Sequence, residues 1–575
     1  MSYSDIETFR FDQSGLNRVK SLPKGSDWPV VYLISNSHQV YIGETSSASI
    51  RFRQHLDNPE RKRLKEIHIL FDTEFNKSAI LDIEQSLIQL VSADNIYEIL
   101  NKNGGQSQKH NYYQREKYQA KISAIWSQLQ KKKLATKDYE VIINSDLFKF
   151  SPYNSLTEEQ TVACFTVLDD AIDMLNKDIK GAIVLHGAAG TGKTVVLINI
   201  INRLVNATDF EMDDTDVEEA LSPYLRIRRK IADYVNQHGP LKVALVLPMA
   251  SIRKTLKTVF RKTKHGLKAD MVIGPADVSN EEYDILLVDE AHRLPQYKNI
   301  SWRGTYKANT TSIFGQSANP EKYTTLDWIL RRSKYSILVY DNAQTVKGSD
   351  ITEEQFVNAF DKEEVAIKHW TLQTQMRCKG GHDYIDYLND IFNCNSDLPR
   401  KEIIDYDFKL FDHVDDMVKA IKDKDKVFGL CRTVAGYSWR WISKGCSSVE
   451  EVRRLGLEDI TIEGHKYIWN MSDKEWILRP SAKDEIGCIH TTQGYDLNYV
   501  GVIFGEEIDY DKVNNQITID PSRHFDSNVQ NGASPEQLKQ YLVNSYNVMM
   551  SRGIKGCYVY VCNPSLKEYL SKYIG

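Results

Sequence analysis

Short apolar runs alternate with longer amphipathic ones along this chain, and their rhythm changes twice. Between residue 28 and about 110, the runs VVYLI, QVYIG and IHILFD read as short strands. They are joined to SAILDIEQSLIQLVSAD, where Ile80, Ile83, Leu87 and Leu90 recur at helical spacing. The next segment, HNYYQREKYQAKISAIWSQLQKKKLATKDYE, reads as a polar helix with a basic end that bridges two domains. Its Lys131–Lys133 run reads as a solvated helix terminus. From about 150 a strand–turn–helix cycle repeats through GAIVLHG, KVALVLP, YDILLVDE and YSILVYD. These runs are too continuously apolar for a half-exposed sheet and predict parallel strands covered on both faces. A second series begins at about 365, with KVFGLCRT, EIGCIHT, YVGVIFG and GCYVYVC. The acidic stretch DFEMDDTDVEEALSPYL interrupts the first series and reads as a surface insertion. The expected fold class is α/β, with one small mixed α/β domain followed by two parallel-sheet lobes.

Composition narrows this picture. A chain of 575 residues is too long for one core and predicts three or more domains. A net charge of −5 means that any nucleic-acid surface must be a local patch. The eight cysteines, Cys164, Cys378, Cys394, Cys431, Cys446, Cys488, Cys557 and Cys562, contain no C-x-x-C pair. They read as reduced structural thiols of a cytoplasmic protein rather than zinc ligands. No apolar run approaches the length of a membrane span, and the polar start MSYSDIETFRFDQSG does not resemble a signal peptide.

Gly187, Gly192, Lys193 and Thr194 fit the phosphate-loop pattern G-x-x-x-x-G-K-[ST], with Ala188, Ala189, Gly190 and Thr191 between them. The glycines let the loop curl so that its N–H groups face phosphate oxygens. Lys193 adds a point charge and the Thr194 hydroxyl ligates Mg²⁺. In DILLVDEAH, Asp289 at a strand end would hold that Mg²⁺ through water and Glu290 would polarise the attacking water. Asp341 and Gln344 in VYDNAQT could sense the γ-phosphate, and Arg377 and Arg552 could neutralise charge on the transferred phosphoryl group.

The upstream stretch VYLISNSHQVYIGETSSASIRFRQHL carries other chemistry. Tyr32 and Tyr41 lie on short strands, Gly43 opens a turn, and Arg51 and His55 share one helix face. Glu84 is an acid among apolar neighbours on the next helix. A tyrosine base, an arginine for the phosphate and a carboxylate for one divalent ion suffice to hydrolyse a phosphodiester.

The series LTEEQ, HGAAGTGKT, LVLPMAS, LLVDEAH, YDNAQ, TQMRC, IHTTQGYDLNYVGVIFG and NVMMSRGIKG resembles a superfamily 1 helicase core. With CRTVAGYSWRWISK it is similar, more narrowly, to the Schlafen group 3 type of DNA/RNA helicase over residues ~150–575. The resemblance implies two RecA-like lobes with ATP between them. Gln160 would read the adenine, Gln493 and Arg552 would face the phosphates, and Ser251 and Arg253 would touch a strand backbone. Asp496 stands where that family more usually carries Glu.

The upstream residues resemble a GIY-YIG nuclease over residues ~28–110. Tyr41-Ile42-Gly43 matches the second half-motif, whereas Val30-Val31-Tyr32 keeps only the tyrosine of the first. The resemblance implies that Tyr32 and Tyr41 orient or deprotonate water, Arg51 holds the phosphate and His55 assists as a base. Glu84 would bind Mg²⁺ or Mn²⁺, and Asn101 or Asn103 would close the site. The expected organisation is a nuclease-like domain at 1–112, a helical linker at 113–150, and lobes at 151–350 and 351–575. The expected function is an ATP-dependent nuclease–helicase that cleaves DNA in prokaryotic defence against phage, alone, as a homo-oligomer or with a defence partner. A nucleotide-gated nuclease that does not translocate is one alternative. A repair helicase with a non-catalytic N-terminal DNA-binding domain is another, and RNA stays open as substrate.

Overall fold

The structure, a computed structural model, describes residues 5–101, 112–187, 190–208, 223–263, 266–341, 344–345, 348–374, 378–395, 398–471, 476–492, 495–530 and 533–575. These form two compact units. The first holds Met1–Ile172, Thr194–Val243 and Thr255–Val272; the second holds Asp173–Lys193, Ala244–Lys254 and Ile273–Gly575.

The first unit contains a five-stranded sheet of β1 (Asp5–Arg10), β2 (Val30–Ser35), β3 (Gln39–Thr45), β4 (Glu66–Phe71) and β5 (Glu98–Ile99), in the order β1-β4-β2-β3-β5. All pairings are antiparallel except the short β3–β5 pair. Every residue of β2 is buried, which explains its unbroken apolar run. Val30, Tyr32 and Ile34 pack on one face, with α1 (Gln13–Lys20) and α2 (Ala48–Asp57). Val31 and Leu33 pack on the other, with α3 (Lys77–Asp94) and α4 (Arg115–Lys131). The period-2 alternation of a strand therefore puts Tyr32 on the side of Arg51 and His55, both residues of α2. Asn76 caps the start of α3 by accepting from the Ala79 N–H, and Asn95 ends it in the left-handed region.

Two sequence expectations change here. The sheet begins earlier than residue 28, because β1 pairs along its whole length with β4. The segment read as a bridging polar helix is not a free linker. Tyr118, Ile122, Ile125, Trp126 and Leu129 form a buried stripe that joins α4 to the core around α3. Five apolar positions spread through a polar helix suffice for one buried face. Lys131–Lys133 are exposed, as a solvated terminus would be. The short helices α5 (Tyr139–Ile143) and α6 (Asp146–Lys149) follow, and Gln85 of α3 donates to the Tyr153 carbonyl beyond them.

The second unit contains two larger sheets, apart from Val243 and Val272, the first residues of two of their strands. One joins β6 (Gly181–Gly187), β7 (Val243–Val246), β8 (Val272–Ile273), β9 (Tyr283–Val288), β10 (Ser333–Tyr340) and β11 (Ala366–Leu372), in the order β11-β6-β10-β9-β7-β8. β11 runs parallel to β6 along its whole length, so this sheet extends past residue 350. The other joins β12 (Asp407–Leu410), β13 (Cys431–Ala435), β14 (Ile460–Ile462), β15 (His465–Trp469), β16 (Glu485–Gly487), β17 (Leu497–Phe504) and β20 (Gly553–Val561), in the order β12-β20-β17-β13-β16-β15-β14. All its pairs are parallel except β14–β15. A hairpin of β18 (Ile508–Asp511) and β19 (Gln516–Ile519) follows β17. Each strand run read after residue 150 contributes a strand to one of these two sheets, although Lys426–Phe428 of KVFGLCRT end the helix Val414–Phe428 and the strand begins at Cys431; the fold class is α/β. The acidic insertion lies almost wholly outside the described residues. No helix among the described residues is long and apolar enough to cross a membrane.

Candidate active sites

The nucleotide motif sits where its chemistry needs it. β6 is a central parallel strand, and its last residue, Gly187, turns into the loop; a Cβ there would lie 2.7 Å from Thr191 Oγ1 and 3.0 Å from the Leu372 carbonyl oxygen. Gly190 and Gly192 have φ of +93° and +78°, a region that L side chains avoid. α7 (Glu158–Asn176) precedes the strand and α8 (Lys193–Val205) follows the loop, with Thr194 as its second residue. Lys193 is buried, and its ammonium donates to the Gly187 carbonyl and lies 3.6 Å from Asp341 Oδ2. Gln344 donates to the same Asp341 oxygen at 2.5 Å. Lysine, loop carbonyl, aspartate and glutamine thus form one connected set at the ends of β6 and β10.

The acids after β9 join this set electrostatically. Asp289 is buried, and its carboxylate accepts from the Glu290 N–H at 3.1 Å. Glu290 has φ +52°, a strained value for a non-glycine residue at the edge of a site. Its Oε2 lies 3.0 Å from Nε2 of the fully buried His292. The Asp341 N–H donates to His292 Nδ1 at 3.3 Å, which leaves the ring proton on Nε2, facing Glu290. Burial pushes the Glu290 carboxyl upward, but His292, then Lys193 and Arg293, outweigh it and hold the group below its ordinary value. Glu290 is therefore held as an ionised carboxylate beside the His292 ring. His292 and Arg293 were not read from the sequence, although only Ala291 separates them from the acidic pair in DEAHR.

The remaining nucleotide-site expectations are placed less directly. Gln160 forms a capping box at the start of α7: its Oε1 accepts from the Thr157 N–H at 3.0 Å, and its own N–H donates to Thr157 Oγ1 at 3.2 Å. Arg552 is buried between the helix Pro535–Met550 and β20. Ser251 is the second residue of the helix Ala250–Thr263, and Arg253 folds back to donate to the Leu247 carbonyl at 2.7 Å. Ala188, Ala189, Arg377 and Gln493 lie outside the described residues.

The N-terminal residues converge more tightly. Antiparallel pairing sets Tyr32 opposite Gly43 and Ile34 opposite Tyr41. The Tyr32 ring crosses so closely over Gly43 that a Cβ there would lie 2.3 Å from Oη and 2.5 Å from Cζ. The glycine of Tyr41-Ile42-Gly43 is thus explained by the tyrosine across the pair. Tyr32 Oη is 2.7 Å from His55 Nε2 and accepts from Arg51 Nε at 3.3 Å. Arg61 completes the cluster: its guanidinium contacts His55 Nδ1 and sits 3.9 Å over the Tyr41 ring. With Arg61 donating to Nδ1, the His55 proton lies on Nε2 and points at Tyr32 Oη. Burial, then the neighbouring Tyr41, push the Tyr32 hydroxyl well above its usual range, only partly offset by Arg51. Tyr32 is therefore a neutral phenol that orients, rather than a ready base.

Glu84 is shifted by its surroundings. Burial pushes it up to about 8, Glu44 adds to the shift, and Lys77 and Arg51 oppose it. Glu44 pairs with Lys77 at 2.5 Å through Oε1, while its buried Oε2 has no hydrogen-bond partner. Asn101 is tied to the backbone of the motif. Its Oδ1 accepts from the Ile42 N–H at 3.0 Å and its Nδ2 donates to the Ile42 carbonyl at 2.6 Å. The amide is spent on the backbone between Tyr41 and Gly43, so Asn101 positions the motif; Asn103 lies outside the described residues. Arg61, Glu44 and Lys77 were not singled out from the sequence.

A family model described as Schlafen group 3, DNA/RNA helicase domain, matches residues 180–563, well over half of the chain. The chain belongs to that family. The match spans both large sheets and the Lys193–Asp341–Gln344 set, so the RecA-like part is a helicase-type ATPase domain of the Schlafen group 3 kind. The five-stranded sheet precedes the matched residues. An uncharacterized protein of Saccharomyces cerevisiae, YPL245W, is 26% identical over 421 residues, covering 67% of this chain and 83% of that protein. Two solved helicases align over 70% of this chain. They are the Pif1 helicase of Candida albicans (12% identity, 94% of that chain, TM-score 0.25) and a Bacteroides Pif1 bound to ssDNA (9% identity, 92% of that chain, TM-score 0.23). Those scores are too low for either likeness to add to the account of the Schlafen group 3 domain.

Proposed function

We propose that the chain is an ATP-driven nucleic-acid motor joined to a metal-dependent nuclease of the GIY-YIG type, with DNA as its substrate. The observation that carries the nuclease half is the Tyr32–His55–Arg51 cluster, with Glu84 close enough to feel Arg51. Arg51 is half-buried and holds its guanidinium at the phenol, where a scissile phosphate would be neutralised. Tyr32 and Tyr41 flank His55 at ring distances of 5.4 and 5.0 Å and would fix the attacking water beside it. His55, tied to Arg61 through Nδ1, donates from Nε2 to Oη and so holds the phenol in place.

The residues fit a divalent ion, Mg²⁺ or Mn²⁺. Glu84 carries an elevated carboxyl and Glu44 a buried oxygen without a partner. No group of three metal-ligating side chains exists among the described residues. One or two carboxylates, with waters and a substrate phosphate for the rest, is the set that Mg²⁺ ordinarily takes. When bound, the ion supplies charge neutralisation at the departing oxygen.

In the motor half, the loop from Gly187 to Thr194 would cradle the ATP phosphates, and Thr194 and Asp289 would hold its Mg²⁺. Lys193 would move from Asp341 and the Gly187 carbonyl to the phosphates. Asp341, whose Oδ2 faces Lys193 and accepts from Gln344 in this structure, would then report that exchange through Gln344 to the rest of the lobe. Glu290, kept ionised by His292, polarises the attacking water. Arg377, Arg552 and Gln493 would act on the phosphates and Gln160 on the adenine. A nuclease tethered to a nucleic-acid motor suits defence against phage DNA. ATPase rates on single strands of increasing length test the motor: turnover rising with length supports translocation. A rate independent of length would leave a nucleotide-gated switch in its place.

A further inference from the structure

The segment Cys431-Arg432-Thr433-Val434-Ala435-Gly436-Tyr437-Ser438-Trp439-Arg440-Trp441 has no role in the nucleotide chemistry above, yet it leaves the seven-stranded sheet at a telling place. After β13 the chain proceeds to the β16 side of the sheet, and after β17 it proceeds to the β20 side. The carboxyl ends of these two adjacent strands are therefore a topological switch point, where open α/β sheets form a crevice for ligands. Each strand is followed by a glycine that admits no side chain. A Cβ on Gly436 would lie 2.0 Å from Tyr546 Oη, and one on Gly505 would lie 2.3 Å from Ser438 Oγ.

The loop between residues 438 and 443 is fixed at both ends by buried acids. Ser438 Oγ donates to Glu507 Oε2 and accepts from the Glu507 N–H, while Tyr546 Oη donates to Glu507 Oε1 at 2.6 Å. At the other end, the Ser443 N–H and hydroxyl both donate to Asp459 at 2.8 Å. What this rigid loop displays is aromatic and cationic. Arg440 is exposed, and its guanidinium sits 5.0 Å over the ring of Phe525, itself 37% exposed. Lys444 lies 5.6 Å over Trp441, whose Nε1 has no hydrogen-bond partner. Nearby acids are already paired, Glu506 and Asp520 with Arg523, and Asp526 with His490. Among the described residues, Arg440 and Lys444 have no carboxylate partner, so the loop keeps net positive charge.

We infer that the Arg440–Phe525 pair is a stacking platform for an unpaired base of single-stranded nucleic acid, with Lys444 on the adjoining phosphate. A planar guanidinium laid on an aromatic ring offers a flat face to any base, and a fixed loop loses little entropy on binding. The inference rests on the nucleic-acid motor reading and names where the second lobe grips the strand.

The test is fluorescence anisotropy of the full chain with fluorescein-labelled oligothymidylate, for wild type and for Arg440→Ala, Phe525→Ala and Arg440→Lys. Binding of a fluorescent ATP analogue checks that each variant is folded. Loss of one stacked base weakens binding by about tenfold in either alanine variant. Arg440→Lys should also weaken it, because the charge stays but the planar surface is lost. Unchanged oligonucleotide affinity in Arg440→Ala and Phe525→Ala, with wild type binding normally, overturns the platform and leaves the motor reading intact. Failure of the wild-type chain to bind any strand overturns both.

Discussion

Replacing Gly43 by alanine is the sharpest perturbation of the N-terminal cluster. The new methyl would lie 2.3 Å from Tyr32 Oη and 2.5 Å from Cζ. Both distances are about 1 Å short of van der Waals contact, so the ring must shift by about that much. The backbone cannot yield easily, because Gly43 is paired with Tyr32 in the middle of the β2–β3 ladder. Overpacking of this kind costs about 1–3 kcal/mol. The shift also breaks the 2.7 Å contact between Tyr32 and the fully buried His55, and an orphaned buried polar group costs about 1–3 kcal/mol. The two terms overlap, so a total of about 2–4 kcal/mol is expected, which lowers hydrogen-exchange protection of the β2–β3 amides by about 30- to 1,000-fold. Gly304→Ala is the control, since a methyl there meets nothing within 4 Å. Native-state hydrogen exchange on both variants gives the reading, alongside strand cleavage. Wild-type protection and wild-type cutting in Gly43→Ala would refute the claim that this glycine exists to seat Tyr32.

Other expectations follow from single contacts. Asn101→Ala removes both hydrogen bonds to the Ile42 backbone, so cleavage should fall while divalent-ion affinity, read by calorimetry, stays near wild type. Lost metal affinity instead would make Asn101 a ligand. Burial holds His68 near 4, below the usual 6.5, with Ser35 and Thr8 at its two ring nitrogens. The unfolded chain takes up that proton first, so the His68 contribution is complete above about 6.5 and drains as pH falls towards about 4, by up to about 3 kcal/mol. Exchange protection of β4 should follow that window in wild type and lose it in His68→Asn. Burial raises Glu507 to about 7, the opposite case: its contribution is complete below about 4.5 and lost as pH rises through about 7. Glu507→Gln should therefore protect β17 better than wild type at pH 8 and no better at pH 4.

How much of this was legible depended on how local each signal was. The strands β2, β6, β9, β10 and β17 announced themselves because burial on both faces demands an unbroken apolar run. β1 and β11 did not, because DIETFR and AIKHWTL alternate exposed positions with few buried ones. The inner face of α4 was hidden by a polar composition, although Tyr118, Ile122, Ile125, Trp126 and Leu129 recur at helical spacing. In the nucleotide site the loop is contiguous, so Lys193 and Thr194 were readable. His292 was not, because its role comes from touching Glu290 and Asp341 at once. Tyr32, Tyr41, Arg51 and His55 could be grouped by motif and helix face. Arg61 reaches His55 from a turn beyond α2, and nothing in spacing alone announces that contact. The Asn101 contact was not readable because its partner is a backbone peptide, which has no sequence signature.

The central claim is that one chain cuts nucleic acid at the Tyr32–His55–Glu84 cluster and couples that site to ATP at Lys193. It is tested most directly by incubating the full chain with end-labelled DNA and Mg²⁺ or Mn²⁺, with and without ATP, beside Glu84→Ala and Lys193→Ala. The account expects metal-dependent cleavage by wild type, none by Glu84→Ala, and cleavage by Lys193→Ala that no longer responds to ATP. Full cleavage by Glu84→Ala, or ATP turnover with no cutting under any metal, would contradict it.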